Sequence, residues 1–258
     1  DATRFYDNQG NWSFINMTEE AGLDGFAATY QAAFGDVDND GDLDVVSNNG
    51  LLYINETENE YSWLKLKIEG DPAQGINLSA IGAQVRVTLD SGAIVARQVE
   101  ASTGAGNAHE KTLHFGLGEQ EDPVDIEVRW PGGLVHTIED VELNKTFVVD
   151  TNGQLTEVVD SGGGGGEGGG GFTDVTVLMG LHTDGAGHSG FGDINNDGWT
   201  DLNWGSGIWV NNAGNSFTFL QQLHGEGVFG DFDNDGFLDV MAGWGDGGEL
   251  YRNVDGTS

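Results

Sequence analysis

One pattern is written three times in this chain and restricts its fold more than any other feature. FGDVDNDGDLDV begins at Phe34, FGDINNDGWTDL at Phe191 and FGDFDNDGFLDV at Phe229. Counted from the first aspartate, each segment has Asp at position 1, Asp or Asn at 3, Asp at 5, Gly at 6 and Asp at 9. The first set is Asp36, Asp38, Asp40, Gly41 and Asp44; the second is Asp193, Asn195, Asp197, Gly198 and Asp201; the third is Asp231, Asp233, Asp235, Gly236 and Asp239. When the chain curls, the side chains at 1, 3 and 5 converge on one point. Glycine at 6 allows the sharp turn and position 9 closes the cage. With the backbone carbonyl of position 7 (Asp42, Trp199 or Phe237), each loop offers five or more hard oxygen ligands, the set Ca²⁺ prefers. Without a cation the gathered carboxylates repel one another.

An EF-hand starts similarly but needs Glu at position 12 and flanking helices. Position 12 is Ser47, Trp204 and Ala242 in the three loops, and the flanks read as short strands. The repeat also runs beyond the loop. Phe14-Ile-Asn-Met-Thr18 leads to Gly22-Leu23, and Phe172-Thr-Asp-Val-Thr176 leads to Gly180-Leu181 at the same spacing. Downstream, a strand ends in Asn each time: Asn55, Asn211 and Asn253. These residues resemble the FG-GAP (VCBS) repeats of integrin α-subunits. The resemblance covers 1–57 and 172–258 and implies one four-stranded propeller blade per repeat, with Ca²⁺ in an inter-strand loop.

Residues 62–150 differ in character. Alternating strands are expected at Trp63–Ile68, Ala83–Leu89, Ala93–Val99, Val124–Trp130, Gly133–Ile138 and Thr146–Val149, with turns at Asp90-Ser91-Gly92 and Pro131-Gly132. Short strands separated by turn signals predict a small β-sandwich or barrel, with its charged positions on a face in water. WLKLKIEG (63–70), IGAQVRV (81–87), LHFGLG (113–118) and VRWPGG (128–133) are similar to the ASPIC and UnbV domain, found in cartilage acidic protein and bacterial relatives. That resemblance implies extracellular, calcium-dependent adhesion or scaffolding. In the family the domain usually follows the repeats, whereas here two more repeats come after it.

The expected fold is therefore all-β: propeller-blade-like repeats, forming an incomplete or intermolecularly completed propeller, plus an inserted small β-sandwich. The expected divisions are a first repeat region at 1–60, the sandwich at 61–160, a glycine-rich linker at 161–171, and the second and third repeats at 172–258. Closed propellers need about four to eight blades. Phe5-Tyr6-Asp7-Asn8 stands in the same phase as Leu250-Tyr251-Arg252-Asn253. Residues 172–258 are thus expected either to dock on 1–57 within the chain or to meet a neighbour head to tail, and a head-to-tail contact that does not close makes a filament.

Charge narrows the partners. There are 43 Asp plus Glu against 9 Lys plus Arg, a formal net charge of −34. Nucleic-acid phosphates and anionic membranes are repelled, and no apolar run approaches the roughly 20 residues of a membrane-spanning helix. Seven of the nine bases lie between Lys65 and Lys145, and 151–251 has none. No cysteine is present, so thiolate chemistry is excluded. His109, His114, His136, His182, His188 and His224 form no HExxH pair, and neither a GxSxG elbow nor a phosphate loop occurs. The chain is read as non-enzymatic. Five N-x-S/T sequons, at Asn11, Asn16, Asn55, Asn77 and Asn144, fit a secreted glycoprotein. The expected role is extracellular self-assembly or adhesion, with copies of itself, cell-surface glycans or proteins as partners. The alternative is a carbohydrate-binding module or polysaccharide-acting enzyme, suggested by Trp199, Trp204, Trp209 and Trp244. In blades, large aromatics more often fill cores.

Overall fold

The computed structural model describes residues 3–23, 29, 31–57, 60–102, 108–159, 171–181, 187–244, 247–254 and 256. They hold no α-helix, and so none long and apolar enough to cross a membrane. The glycine linker up to residue 170, His182 and the Trp244 side chain lie outside the described residues.

Short strands rich in Val, Ile, Phe and Tyr, punctuated by Asp-Gly turns, pair mostly antiparallel, with Thr146–Val149 and Ser62–Ile68 running parallel. The first hairpin joins β1 (Tyr6–Asn8) and β2 (Phe14–Asn16). Next come β3 (Ala32–Gly35), β4 (Asp44–Ser47) and β5 (Leu51–Asn55). The chain then leaves for eight strands: β6 (Ser62–Ile68), β7 (Gln84–Thr88), β8 (Ile94–Gln98), β9 (Leu113–Gly118), β10 (Val124–Arg129), β11 (Val135–Val141), β12 (Thr146–Val149) and β13 (Leu155–Val158). It returns as β14 (Phe172–Asp174) and continues through β15 (Ser189–Gly192), β16 (Asp201–Trp204), β17 (Gly207–Asn211) and β18 (Phe217–Gln222). It ends in β19 (Glu226–Gly230), β20 (Asp239–Trp244) and β21 (Gly247–Tyr251).

Strand β14 pairs antiparallel with β5 (Phe172 opposite Asn55, Asp174 opposite Tyr53), giving the four-stranded order β14-β5-β4-β3. The sandwich is thus inserted inside one blade, between its third and fourth strands, and the 172–258 region docks on the first repeat through a shared sheet. The blade boundary is offset from the sequence repeat, because each Phe-led strand closes the blade before it. The second blade is β15-β16-β17-β18, and the third has β19-β20-β21. Hairpin β1–β2 reproduces the outer pair β5–β14. Thr18 Oγ1 accepts from Phe5 N at 2.9 Å, as Thr176 Oγ1 does from Leu52 N at 2.9 Å. The following turns match too, with Leu23 N donating to Thr18 O at 2.9 Å and Leu181 N to Thr176 O at 3.0 Å.

The innermost strands β3, β15 and β19 lie side by side, so the apolar material sits between blades. Val46, Leu52, Phe191, Leu202 and Trp204 pack where the first and second blades meet, and Ile194, Ile208, Phe229, Leu238 and Val240 where the second meets the third. The insert has its own core. Sheets β11-β10-β7-β8 and β13-β12-β6-β9 bury Leu64, Leu66, Val85, Val87, Phe115, Ile126 and Val128 between them. Alternation along β6 turns Leu64, Leu66 and Ile68 inward and leaves Trp63, Lys65 and Lys67 on the opposite face. That face is not wholly in water, contrary to the expectation above: Lys65 is only 2% exposed, because this part of the face lies on the acidic loops, while Lys67 stays partly exposed.

Candidate cation loops and the face that covers them

The three loops share one hydrogen-bond pattern. At position 1, one carboxylate oxygen accepts from the position 5 amide and the other from the glycine amide. Asp36 bonds Asp40 N (3.2 Å) and Gly41 N (3.0 Å); Asp193 bonds Asp197 N (3.1 Å) and Gly198 N (3.2 Å); Asp231 bonds Asp235 N and Gly236 N (both 3.1 Å). Position 5 accepts from the amide of position 7, that is of Asp42, Trp199 or Phe237, at 2.8, 2.9 and 3.0 Å. Position 9 staples the loop to the end of the third strand. Asp44 bonds Val37 N (2.7 Å) and Asn55 N (2.8 Å), Asp201 bonds Ile194 N (2.9 Å) and Asn211 N (2.8 Å), and Asp239 bonds Phe232 N (3.0 Å) and Asn253 N (2.8 Å).

This geometry depends on two left-handed residues per loop. Asn39, Asn196 and Asn234 at position 4 have φ of 56°, 57° and 61°, where Asn is tolerated best after glycine. Gly41 has φ 98°, and a Cβ there would lie 2.1 Å from Trp63 Cε2 of the covering face, so glycine is required twice over.

Carboxylate oxygens of Asp36, Asp38 and Asp40 lie within 4.8 Å of one another, as do those of Asp231, Asp233 and Asp239. In the second loop Asn195 takes the third position and accepts from Asp197 N at 3.1 Å. Asp36, Asp38 and Asp44 are buried, and Asp38 Oδ1 has no hydrogen-bond donor. Burial, with Asp36 beside it, pushes the Asp38 carboxyl up to about 6. Burial raises Asp44 well above the usual carboxylate range, with Asp38 adding to the effect, and raises Asp201 to about 7. A buried oxygen without a donor, inside a cage of hard oxygens, fits a divalent cation.

Several residues of this region have contacts that the loop motif does not reveal, among them position 4, which is Asn in all three copies. Position 4 ties each loop to the next: Asn39 Nδ2 donates to Gly198 O (3.3 Å) and Asn196 Nδ2 to Gly236 O (3.0 Å). At both ends of this row the sandwich takes over. His114 Nε2 lies 2.6 Å from Gly41 O, and Leu78 N donates to Asn234 Oδ1 at 2.8 Å. Two of the three strand-ending asparagines, visible as a repeat but without a stated role, join blades. Asn211 Nδ2 donates to Val37 O (2.8 Å), and Asn253 Nδ2 to Ile194 O (2.7 Å).

The remaining singled-out residues have mostly local roles. His109 Nδ1 accepts from Phe34 N at 3.0 Å, His136 Nδ1 accepts from Trp130 Nε1 at 3.1 Å, and His188 Nδ1 lies 2.9 Å from Glu226 Oε2. Burial lowers the pKa of His109 and of His114. Trp199 and Trp204 are buried, and Trp209 packs against Trp204 and Phe219, so these three rings fill blades. Asn11, Asn16, Asn77 and Asn144 are exposed, while Asn55 is half-buried.

No curated protein and no solved structure matches the chain. Residues 73–156, which take in most of the inserted sandwich from the turn before β7 to β13, match the family model of the ASPIC and UnbV domain.

Proposed function

We propose that this chain is a calcium-stabilised structural protein of the extracellular space, serving assembly or adhesion and not catalysis. The observation that carries the reading is the threefold repetition of one hydrogen-bond pattern around clustered carboxylates, with Asp38 Oδ1 buried and lacking a donor. Asp36, Asp38, Asp40, Asp44 and the Asp42 carbonyl would hold the ion in the first loop, and their counterparts in the other two. The ion neutralises the carboxylates and locks the loop, so binding energy becomes folding energy. The similarity of the flanking segments to FG-GAP repeats, and the ASPIC and UnbV match of the insert, support the same reading. Melting in millimolar calcium and again in chelator tests it, together with calorimetric titration. A rise in Tm with calcium and about three bound ions are expected. Equal melting curves with no heat of binding would overturn it.

A second reading is favoured by the edges. Strand β21 has no outer partner among the described residues, and hairpin β1–β2 has the form of an outer strand pair. Phe14 and Ile15 of β2 and Leu250 of β21 are exposed. An exposed edge invites strand addition, so a second copy is the natural occupant. Light scattering and electron microscopy in calcium should show concentration-dependent oligomers. A monomer at every concentration would sink this second reading.

A further inference from the structure

The sandwich brings three ammonium groups to the loops, two of them within 4 Å of a first-position aspartate. Lys65 Nζ lies 2.9 Å from Asp36 Oδ2 and 2.9 Å from Asn39 Oδ1, and both charged side chains are almost fully buried. Lys67, two residues along the same face of β6, is 3.8 Å from Asp193 Oδ2 and 3.8 Å from Glu69 Oε1 and is partly exposed. Lys111 Nζ is buried without a hydrogen-bond partner, and the charge it feels is Asp231; burial lowers its pKa to about 8. All three line one cavity of about 500 Å³ between the insert and the loops, together with Asp193 and Asp235. A third of the chain's 9 Lys plus Arg residues is gathered there.

The charge count explains why. The first loop brings five carboxylates, the Asp42 side chain included, so one divalent cation leaves three negative charges behind. The second brings three and is left with one. The third brings four, and it also has Arg252 against Asp233 and Asp235. Residual charge beside a buried face is costly unless paired.

We infer that Lys65, Lys67 and Lys111 are built-in counter-charges of the three loops and grade their affinity for divalent cations, with the first loop weakest. The inference rests on the calcium reading. Lys65 touches its aspartate, Lys67 is at longer range and Lys111 makes no hydrogen bond, so competition with an incoming ion falls in that order. A fixed positive charge bonded to a ligating carboxylate opposes cation entry. Even with the screening of bulk water, a unit charge beside a divalent ion shifts affinity by roughly tenfold.

Calorimetric titration of the full chain with Ca²⁺ tests this, using Lys65→Met, Lys67→Met and the charge-keeping Lys65→Arg. The wild type is expected to show one weak and two tighter steps. Lys65→Met should tighten the weak step at least about tenfold, Lys67→Met should tighten one of the others a few-fold, and Lys65→Arg should leave the wild-type pattern. The gap between Tm in calcium and Tm in chelator should widen in Lys65→Met, since the apo loop loses the ammonium bonded to Asp36. Unchanged or weakened binding in a folded Lys65→Met overturns the inference. If that variant does not fold, unchanged binding in Lys67→Met does so, its side chain being partly exposed. A wild type that binds no calcium instead overturns the calcium reading itself.

Discussion

Asp44→Ala separates what the loop aspartates do as structural staples from what they do as ligands. The Asp44 carboxylate is fully buried and accepts from two backbone amides, Val37 N at 2.7 Å and Asn55 N at 2.8 Å. Alanine leaves both amides without an acceptor. Hydrogen bonds to a charged group are worth about 1.5–3 kcal/mol each, so about 3–6 kcal/mol is lost. Opposing this, alanine removes the cost of burying a charge and its repulsion with Asp38, the two causes, burial first, that lift the Asp44 carboxyl well above its usual range. In chelator the net loss should be about 2–4 kcal/mol after that relief. In calcium it should be larger, because the ion cancels the repulsion and also loses a ligand.

Asp38→Asn is the contrast. Asp38 Oδ1 has no donor to lose, and its charge is opposed by Asp36, so the change should be neutral or stabilising in chelator while weakening calcium binding. Urea unfolding of both variants, in chelator and in calcium, reads the difference as shifts of midpoint at constant m. If Asp44→Ala unfolds at the wild-type midpoint in chelator, position 9 is a ligand only and the staple reasoning is wrong.

Two further outcomes follow from the same geometry. Asp38 and Asp201 are lifted to about 6 and about 7 from a usual value of 3.8, so between pH 4 and 7 the folded chain holds more protons than the unfolded one. Stability in chelator should therefore be full below pH 4 as far as these groups decide it and be lost as pH rises through 6–7; melts that strengthen with pH over this window would contradict it. Asn211→Ala removes donations to Val37 O and Thr200 O and an acceptor for Gly214 N, all at a buried residue. It should cost about 2–4 kcal/mol in urea unfolding. Asn55→Ala should cost far less, since among the described residues that side chain bonds within its own turn, to Thr57.

Much of the loop is legible in sequence because its chemistry is local. Positions 1, 3, 5, 6 and 9 lie within one turn of chain, and three copies in one register leave little else to satisfy. The strands β6, β7, β8, β10, β11 and β12 show in the alternation, with ends shifted by a few residues at most. Leu113–Gly118 offered a family motif but, with glycines at 116 and 118, a weak strand signal, and Leu155-Thr-Glu-Val158 is too short to alternate clearly. Pairing across distance has no local signature. Nothing in Phe172-Thr-Asp says that it closes the blade of Asn55 after the whole sandwich has intervened.

The faces of β6 show the same limit and what it conceals. Alternation establishes that Lys65 and Lys67 share a side, and a lysine side is ordinarily in water. What decides otherwise is the acid across the gap. Three loops, each with more carboxylates than one divalent ion can neutralise, make a surface on which ammonium groups are better placed than in solvent. The insertion point supplies the reach, since β5 and β14 are paired neighbours and the sandwich leaves and re-enters the blade at one edge. His114 on Gly41 O and Leu78 N on Asn234 then occupy the two ends of the loop row, where neighbouring loops would otherwise bond. A further blade joining this row would have to displace those contacts. Growth by strand addition at β21 needs no such displacement, which makes that edge, and not the loop row, the place to look for a second copy.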